Sequence, residues 1–231
     1  MESTRALQAT DSEPFFSTDV MRETIGSLLW LSTCTRPDIT MAVNYLARFV
    51  SSPTTAHWTA VKRVLRYLQG SRMLKLAFLR PQGPQQHAKA SIFSDADWAG
   101  DKEAKSTSGG VLVLNGMPIA WYSKKQSTVA LSTAEAEYIA GLLWCKTACG
   151  KNDNVILHID NQSAIKNMEN DVTTARMKHI NIKFHFIRDA VHSKAVEVRY
   201  CPTAEMKADI FTKPLGATLY GRNVAMLKLF A

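Results

Sequence analysis

An Asn-Gly pair between two apolar runs is the feature that most restricts how this chain can fold. The runs are GGVLVL and MPIAWYS, and Asn115 and Gly116 separate them. Asn-Gly favours the left-handed backbone of a two-residue hairpin turn, so the two runs are predicted to be neighbouring antiparallel strands. This region is therefore predicted to contain a β-hairpin.

Strands and helices alternate around this hairpin. A strand that includes FSDADWAGD precedes it, and STAEAEYIAGLLW follows as a helix because Ser132 and Glu135 form a capping box. VILHID is a buried strand, a long helix is expected from about Arg176, and AVEVRY is a fifth strand. TAEMKADIFTK is predicted to be a last helix that ends before Pro214. Strands that are paired by a hairpin and later joined through helices predict an α/β fold with a mixed sheet covered by helices.

The first third of the chain reads differently, as a small all-helical segment. Its third helix follows SSPTT and has Trp58, Val61, Leu65 and Leu68 at helical spacing, so these side chains are predicted to face a core. A stretch rich in Pro, Gly and Gln then marks a linker. The predicted organisation is a polar lead-in at 1–19, a helical segment at 20–79, a linker at 80–89, an α/β domain at 90–216 and a C-terminal tail at 217–231.

The positive charge of the chain is concentrated in one segment. Between Ile39 and Ser94 there is no Asp or Glu but there are eight Lys and Arg residues, a number equal to the whole net charge of +8. Such a field favours a polyanionic partner, and nucleic acid is the commonest one. Lys62, Arg63 and Arg66 turn away from the apolar stripe of the third helix, and we predict that they contact phosphates. A solvated basic surface without a partner is the alternative.

Four acidic residues lie at the ends of predicted elements. They are Asp95 on the first strand of the α/β domain, Glu137 on the helix after the hairpin, Asp160 at the end of the fourth strand and Asp209 on the last helix. Carboxylates brought together repel one another, so a protein keeps such a cluster only with a cation, and oxygen ligands without a His or Cys set indicate Mg²⁺ or Mn²⁺. Spacing alone also allows simpler roles, in which Asp160 caps a helix and Glu137 faces solvent. Asp209 would then pair with Lys213.

Five motifs, in order, resemble the ribonuclease H region of copia-type (Ty1/copia) retrotransposon Pol polyproteins: SDADWAGD, STAEAEYIA, IDNQSAI, KHINIKFHFIRD and ADIFTKPL. The upstream IGSLLWLSTCTRPDITMAVNYLARFVSSPTTAHW and VLRYLQG resemble the end of the reverse transcriptase of the same polyprotein. Together the motifs cover roughly residues 20–216. The resemblance implies a ribonuclease H-like domain, with a five-stranded mixed sheet and flanking helices, preceded by the thumb or connection part of a reverse transcriptase.

The resemblance also implies a site and a reaction. In that family four acids bind two metal ions, Mg²⁺ or Mn²⁺, and by motif these acids are Asp95, Glu137, Asp160 and Asp209. The implied reaction is metal-dependent endonucleolytic cleavage of the RNA strand of an RNA–DNA hybrid during reverse transcription. The four acids selected from their positions at the ends of predicted elements are the same four that the resemblance implies.

The resemblance to the retrotransposon polyproteins also implies binding partners. Lys178 and His179, near the start of the long helix, are expected to hold phosphates of the hybrid. Other parts of the polyprotein are further expected partners.

Four cysteines and no apolar run long enough for a membrane predict an intracellular protein, in the cytoplasm, the nucleus or a virus-like particle. The alternative is a catalytically inactive remnant that binds nucleic acid, which a short 141–154 segment and the missing Tyr-x-Asp-Asp polymerase motif favour.

Overall fold

A computed structural model describes residues 12–79, 90–100, 103–148, 155–169 and 181–230. In chain order the helices are α1 (Thr18–Cys34), α2 (Thr40–Ala47), α3 (Thr55–Gly70), α4 (Thr133–Ala148), α5 (Gln162–Glu169), α6 (Asn181–His192) and α7 (Ala217–Met226). The strands are β1 (Lys75–Leu76), β2 (Ala90–Asp97), β3 (Thr107–Leu114), β4 (Met117–Lys125), β5 (Val155–Ile159), β6 (Val196–Tyr200) and β7 (Leu229–Phe230). Short 3₁₀ turns lie at Pro37–Ile39, Thr203–Glu205 and Asp209–Phe211.

A five-stranded mixed sheet has the order β4-β3-β2-β5-β6. Strand β2 pairs antiparallel with β3 and parallel with β5, and β5 pairs parallel with β6. Strands β3 and β4 form the predicted hairpin, and both Asn115 (φ 51°) and Gly116 (φ 83°) have the left-handed backbone of a two-residue turn. The predicted fold class, a ribonuclease H-like mixed sheet with flanking helices and preceding helices, is therefore confirmed.

Helices α4, α5 and α6 pack against this sheet around a core of fully buried side chains: Ile92, Tyr138, Leu157, Met168 and Ile187. Apolar residues at these positions explain why the sheet and the helices form together, since each element has one face to remove from water.

Helix α4 begins where the capping pattern predicts. Ser132 Oγ accepts a hydrogen bond from the Glu135 N–H (3.2 Å), and the Glu135 carboxylate accepts from the Leu131 N–H (2.8 Å). The carboxylate thus reaches one residue further back than an ideal capping box requires. This start fixes the second turn of α4, which carries Glu137, next to the sheet.

The predicted last helix does not form. TAEMKADIFTK instead contains the two 3₁₀ turns Thr203–Glu205 and Asp209–Phe211. Met206 separates the turns with an extended backbone (ψ 102°), and its fully buried side chain packs with Cys201 and Ala208. An isolated helix of this length is marginal in water, so burying Met206 outweighs continuous helical hydrogen bonding.

Two compact units divide the described chain. The α/β unit extends from Leu79 to Thr212 and holds the mixed sheet. The helical unit combines residues up to Phe78 with those from Lys213 onward. Among the described helices, none has both the length and the apolar composition that crossing a membrane requires.

Residues from both ends of the chain pack within the helical unit. Phe15 is buried and stacks on Trp58, with ring centroids 4.9 Å apart, and β7 pairs antiparallel with β1. The domain bounds expected from the sequence, a polar lead-in at 1–19, an α/β domain to residue 216 and a tail beyond it, stay a prediction. No local pattern in the sequence predicts the pairing of β1 with β7, because the two strands are far apart in the chain.

Helix α3 starts as predicted but buries a slightly different stripe. Thr54 caps it by accepting a hydrogen bond from the His57 N–H, and Val61 is fully buried. Leu65 is 40% exposed, and Val64 is buried in its place. The buried face is therefore rotated by about one residue from the predicted one. The sequence pattern does not distinguish the two, because residues three positions apart and residues four positions apart both lie on one face of a helix.

A buried polar network holds the helical unit together. Asp38 accepts two hydrogen bonds from Arg36 (Nε to Oδ1 2.9 Å, Nη2 to Oδ2 2.7 Å) and one from the Tyr67 hydroxyl (2.6 Å). Tyr220, on α7, donates to the Asp38 carbonyl (3.1 Å). Burial and the hydrogen bond to Asp38 raise the pKa of Tyr67 above its ordinary value. One aspartate thus joins the turn after α1 to α3 and α7.

Asp38→Ala is expected to destabilise the protein by about 3–5 kcal/mol, because it leaves the buried Arg36 guanidinium without its carboxylate partner. The measurement is chemical unfolding followed by circular dichroism. Glu197→Ala serves as the matched control, since it removes a carboxylate paired with Arg199 at the surface and should cost no more than about 1 kcal/mol. Equal effects of the two substitutions would contradict the prediction.

Candidate metal centre

Asp95 lies on β2, the central strand of the sheet, directly opposite Gly109 of β3. Its side chain is 2% exposed, and the Thr212 hydroxyl donates a hydrogen bond to Asp95 Oδ2. A buried carboxylate needs hydrogen-bond donors or a cation to offset the loss of its hydration. Asp95 is thus a fixed acid in a desolvated position.

Glu137, on α4, is a buried acid beside Asp95. It is 5% exposed; its Oε1 accepts a hydrogen bond from the Ala96 N–H (3.0 Å), and its Oε2 is buried without a hydrogen-bond partner. Burial, together with the neighbouring charges of Asp95 and Asp160, raises the pKa of Glu137 well above its ordinary value, although the Ala96 hydrogen bond opposes this shift. The alternative of a solvent-facing Glu137 is therefore wrong.

Asp160 follows β5 directly and is partly exposed. The Thr203 hydroxyl donates a hydrogen bond to Asp160 Oδ2 (3.1 Å). Helix α5 is capped by the next residue, Asn161, whose Oδ1 accepts from the Ala164 N–H (3.0 Å). Asp160 is consequently not the cap of this helix, which was the simpler role that spacing allowed.

The side chains of Asp95, Glu137 and Asp160 converge. One carboxylate oxygen of each lies within 4.8 Å of those of the other two. Three hard oxygen donors fit a small divalent cation such as Mg²⁺ or Mn²⁺. Glu137, one of the three residues, also has a buried carboxylate oxygen, Oε2, without a hydrogen-bond partner. The same cation would offset the repulsion that raises the pKa of Glu137.

Asp209, the fourth acid selected from the sequence, is outside this group of three. It begins the 3₁₀ turn Asp209–Phe211 and is buried, with its backbone carbonyl 3.2 Å from Thr212 Oγ1. Since Thr212 also contacts Asp95, the backbone of Asp209 is tied to the site through one shared residue. Its role as a metal ligand stays a prediction.

The predicted phosphate-binding residues fall into two sets. Lys62, Arg63 and Arg66 are exposed on α3 in the helical unit. Lys178 and His179 lie outside the described residues, as does the predicted start of the long helix near Arg176.

Two threonines at the carboxylates were missed by sequence reasoning. Thr203 and Thr212 are 43 and 117 residues away from the carboxylates to which they donate. Thr212 belongs to the ADIFTKPL motif, which is the single signal that could have selected it. Thr203 has no comparable signal, because a threonine after a proline is common at the start of a turn.

Comparisons with known proteins agree with this architecture. No protein-family model matches the chain. It is 39% identical over 200 residues to the retrovirus-related Pol polyprotein from transposon TNT 1-94 of Nicotiana tabacum, which covers 82% of this chain and 15% of that polyprotein. It is also 50% identical over 117 residues to the secreted RxLR effector protein 161 of Plasmopara viticola, covering 50% of this chain and 80% of that protein.

Among solved structures, the foamy viral protease-reverse transcriptase dRH in complex with double-stranded DNA matches with a TM-score of 0.56. The match covers 87% of this chain and 34% of that chain at 9% identity, so it bears on the fold alone.

The mixed sheet, its helices and the three converging acids define a ribonuclease H-like domain with a candidate metal site. The chain belongs to the Pol polyproteins of copia/Ty1-type retrotransposons. It spans about 15% of the length of the polyproteins that it matches first.

Mg²⁺ is expected to stabilise the protein more as the pH rises. Because the pKa of Glu137 is raised, the stability that it contributes without metal is present at low pH and is lost as the pH rises through that raised pKa. Mg²⁺ binds the ionised carboxylates, so it should restore stability in the same window. The measurement is the unfolding temperature in EDTA and in Mg²⁺ between about pH 5 and about pH 8.

Glu137→Gln should lose most of this Mg²⁺ response and flatten the pH profile in EDTA, because the amide does not ionise. Glu103→Gln is the matched control, since Glu103 is an exposed acid paired with Lys105 and Lys125 and should leave both profiles as they are. A Mg²⁺ response of Glu137→Gln equal to that of the unsubstituted protein would count against a metal site at these acids.

Proposed function

We propose that this chain is a metal-dependent endonuclease that cleaves the RNA strand of RNA–DNA hybrids, the ribonuclease H of a copia-type retrotransposon. The observation that carries the proposal is the convergence of Asp95, Glu137 and Asp160 within a ribonuclease H-like sheet. Residues 20–79 are then the end of the reverse transcriptase, and reverse transcription is the process in which such a hybrid arises. An intracellular location, in the cytoplasm, the nucleus or a virus-like particle, stays part of the proposal.

The proposed cofactor is Mg²⁺ or Mn²⁺, with two ions held by Asp95, Glu137, Asp160 and Asp209. When bound, such ions activate water for attack on the scissile phosphate and stabilise the charge on the leaving 3′ oxygen. The ligand set has support from the geometry of the first three acids, whereas Asp209 is included because of its place in the ADIFTKPL motif.

The residues of the chain itself supply a pre-oriented, charged site. The Ala96 N–H donates a hydrogen bond to Glu137 Oε1, and Oε2 is buried without a hydrogen-bond partner. The Thr212 and Thr203 hydroxyls hold one oxygen each of Asp95 and Asp160. Because these groups are fixed before substrate arrives, little reorganisation is needed when charge develops on the phosphate. No protein nucleophile is required by this chemistry.

The proposed substrate requires contacts to phosphates beyond the cleavage site. Lys62, Arg63 and Arg66 are exposed on one helix and supply positive charge that is independent of base sequence. This distribution suits a long nucleic acid, whose backbone presents a regular series of negative charges.

Cleavage of a labelled RNA–DNA hybrid in Mg²⁺ is expected from the full chain, with single-stranded RNA and double-stranded DNA left intact. Asp160→Asn should lower the cleavage rate by at least about 100-fold, because it removes a ligand rather than a group that merely orients one. Glu169→Gln, which changes an exposed acid at the end of α5, is the matched control.

Failure of the folded protein to cut the hybrid would contradict the nuclease. If it still bound the hybrid, the result would favour the alternative of an inactive remnant that binds nucleic acid. Equal cleavage rates of Asp160→Asn and the unsubstituted chain would show that cleavage does not depend on Asp160 and would contradict the proposed role of this acid cluster.

Replacing Lys62, Arg63 and Arg66 by Gln is expected to weaken hybrid binding at every base sequence. The slope of log K against log salt should fall by roughly 2–3 if each residue contacts one phosphate. The control is a second triple variant, in which three exposed basic residues elsewhere in the chain are replaced by Gln, so that the net charge changes by the same amount. These residues are Arg22, Lys166 and Arg222. Equal losses in both triple variants would indicate a net-charge effect instead of a phosphate-binding face.

A further inference from the structure

One segment, from Cys201 to Thr212, contacts two of the three converging acids through threonine hydroxyls. Thr212 Oγ1 donates to Asp95 Oδ2, and Thr203 Oγ1 donates to Asp160 Oδ2 at 3.1 Å. The Cys201 N–H donates to the Ile159 carbonyl (2.9 Å), which continues the β5–β6 pairing up to the residue before Asp160. The segment therefore starts beside one acid and ends beside another.

The contact between Thr212 and Asp95 depends on a glycine, Gly109, in the neighbouring strand β3. Gly109 lies opposite Asp95 in the β2–β3 register. A Cβ atom at Gly109 would lie 2.6 Å from Phe211 Cβ and 2.6 Å from Thr212 Cγ2, distances that real atoms do not adopt. Glycine at this position thus lets Phe211, which is fully buried, and Thr212 approach Asp95.

The two threonine contacts differ in their exposure to water. The Thr212 side chain is 3% exposed, so water has little access to replace its hydroxyl at Asp95. Thr212 Oγ1 also lies 3.2 Å from the Asp209 carbonyl, but its single proton favours the carboxylate because a charge-assisted hydrogen bond is stronger. Thr203 is exposed, so a water molecule can take the place of its hydroxyl at Asp160.

We propose that Thr212 is a positioning residue for the metal centre, with Thr203 as a weaker counterpart, and that Gly109 is the glycine that seats Thr212. The inference rests on the proposed function, because it assigns the threonines to a cation site at Asp95, Glu137 and Asp160. By holding Oδ2, each hydroxyl fixes the rotation of its carboxylate and the direction of the other oxygen. Neither threonine is a ligand.

The test is Mn²⁺ binding to the full chain, measured by electron paramagnetic resonance and calorimetry, with no nucleic acid present. Thr212→Val keeps the shape of the side chain and removes the hydroxyl; we expect Kd for Mn²⁺ to rise by about 10-fold or more. Thr212→Ser restores the hydroxyl and should bring Kd back close to that of the unsubstituted chain. Thr203→Val should raise Kd by a smaller factor because of solvent access.

Gly109→Ala provides an independent variant, because it moves Thr212 without changing it and should weaken Mn²⁺ binding in the same direction. Circular dichroism in EDTA confirms that each variant is folded, and Thr203→Val, on an exposed turn, keeps the test usable if Thr212→Val does not fold.

The outcomes distinguish failure of the inference about the threonines from failure of the proposed metal site. Weak binding by Thr212→Val with recovery in Thr212→Ser supports the inference. Equal Kd in Thr212→Val and the unsubstituted chain overturns it, as does weak binding by both Thr212 variants, which would indicate packing instead of the hydroxyl. Absence of Mn²⁺ binding by the unsubstituted chain would overturn the proposed metal site itself and the inference with it.

Discussion

Repulsion among carboxylates is the constraint around which the α/β unit is organised. Asp95, Glu137 and Asp160 bring oxygens within 4.8 Å of one another, two of the three side chains are buried, and the pKa of Glu137 is raised as a result. Without compensation such a group destabilises the folded state, because desolvation and like charge act in the same direction. The surrounding hydrogen-bond donors, from a backbone amide and two threonines, reduce this cost but leave the charge in place. A divalent cation is the compensation that suits hard oxygen ligands.

The topology of the sheet determines which acids can meet. Strand β2 is central and pairs parallel with β5, so the carboxyl ends of the two strands lie at the same edge. Asp95, near the end of β2, and Asp160, directly after β5, are brought together by this arrangement. Helix α4 reaches the same edge because its cap is fixed by Ser132 and Glu135, and Glu137 is then hydrogen-bonded to the backbone of β2. Sheet order, rather than sequence proximity, thus builds the site.

Local chemistry made most of this unit predictable. The Asn-Gly turn, the start of α4 and the buried strand β5 each follow from signals within a few residues, and all three are found. TAEMKADIFTK (203–213) is predicted to be a helix from its start and stop signals, with Pro214 directly after it, but burial of Met206 gives two 3₁₀ turns. Pairing of β1 with β7 and the hydroxyl contacts of Thr203 and Thr212 join residues far apart in sequence. Such contacts have no periodic signature, since side-chain periodicity records which face is buried and not what covers it.

Two adjacent glycines of β3 illustrate how a strand can give up intrinsic stability to serve both faces of a sheet. Successive residues of a strand point to opposite faces. A Cβ at Gly110 would lie 2.0 Å from Trp144 Nε1 of α4, whereas one at Gly109 would meet Phe211 and Thr212 near Asp95. Glycine weakens a strand interior because its unfolded backbone is more flexible. Here that cost is offset by the close approach of a core tryptophan on one face and of the segment beside Asp95 on the other. The GG pair therefore connects the packing of the core with the geometry of the acid site, because both depend on the same stretch of β3.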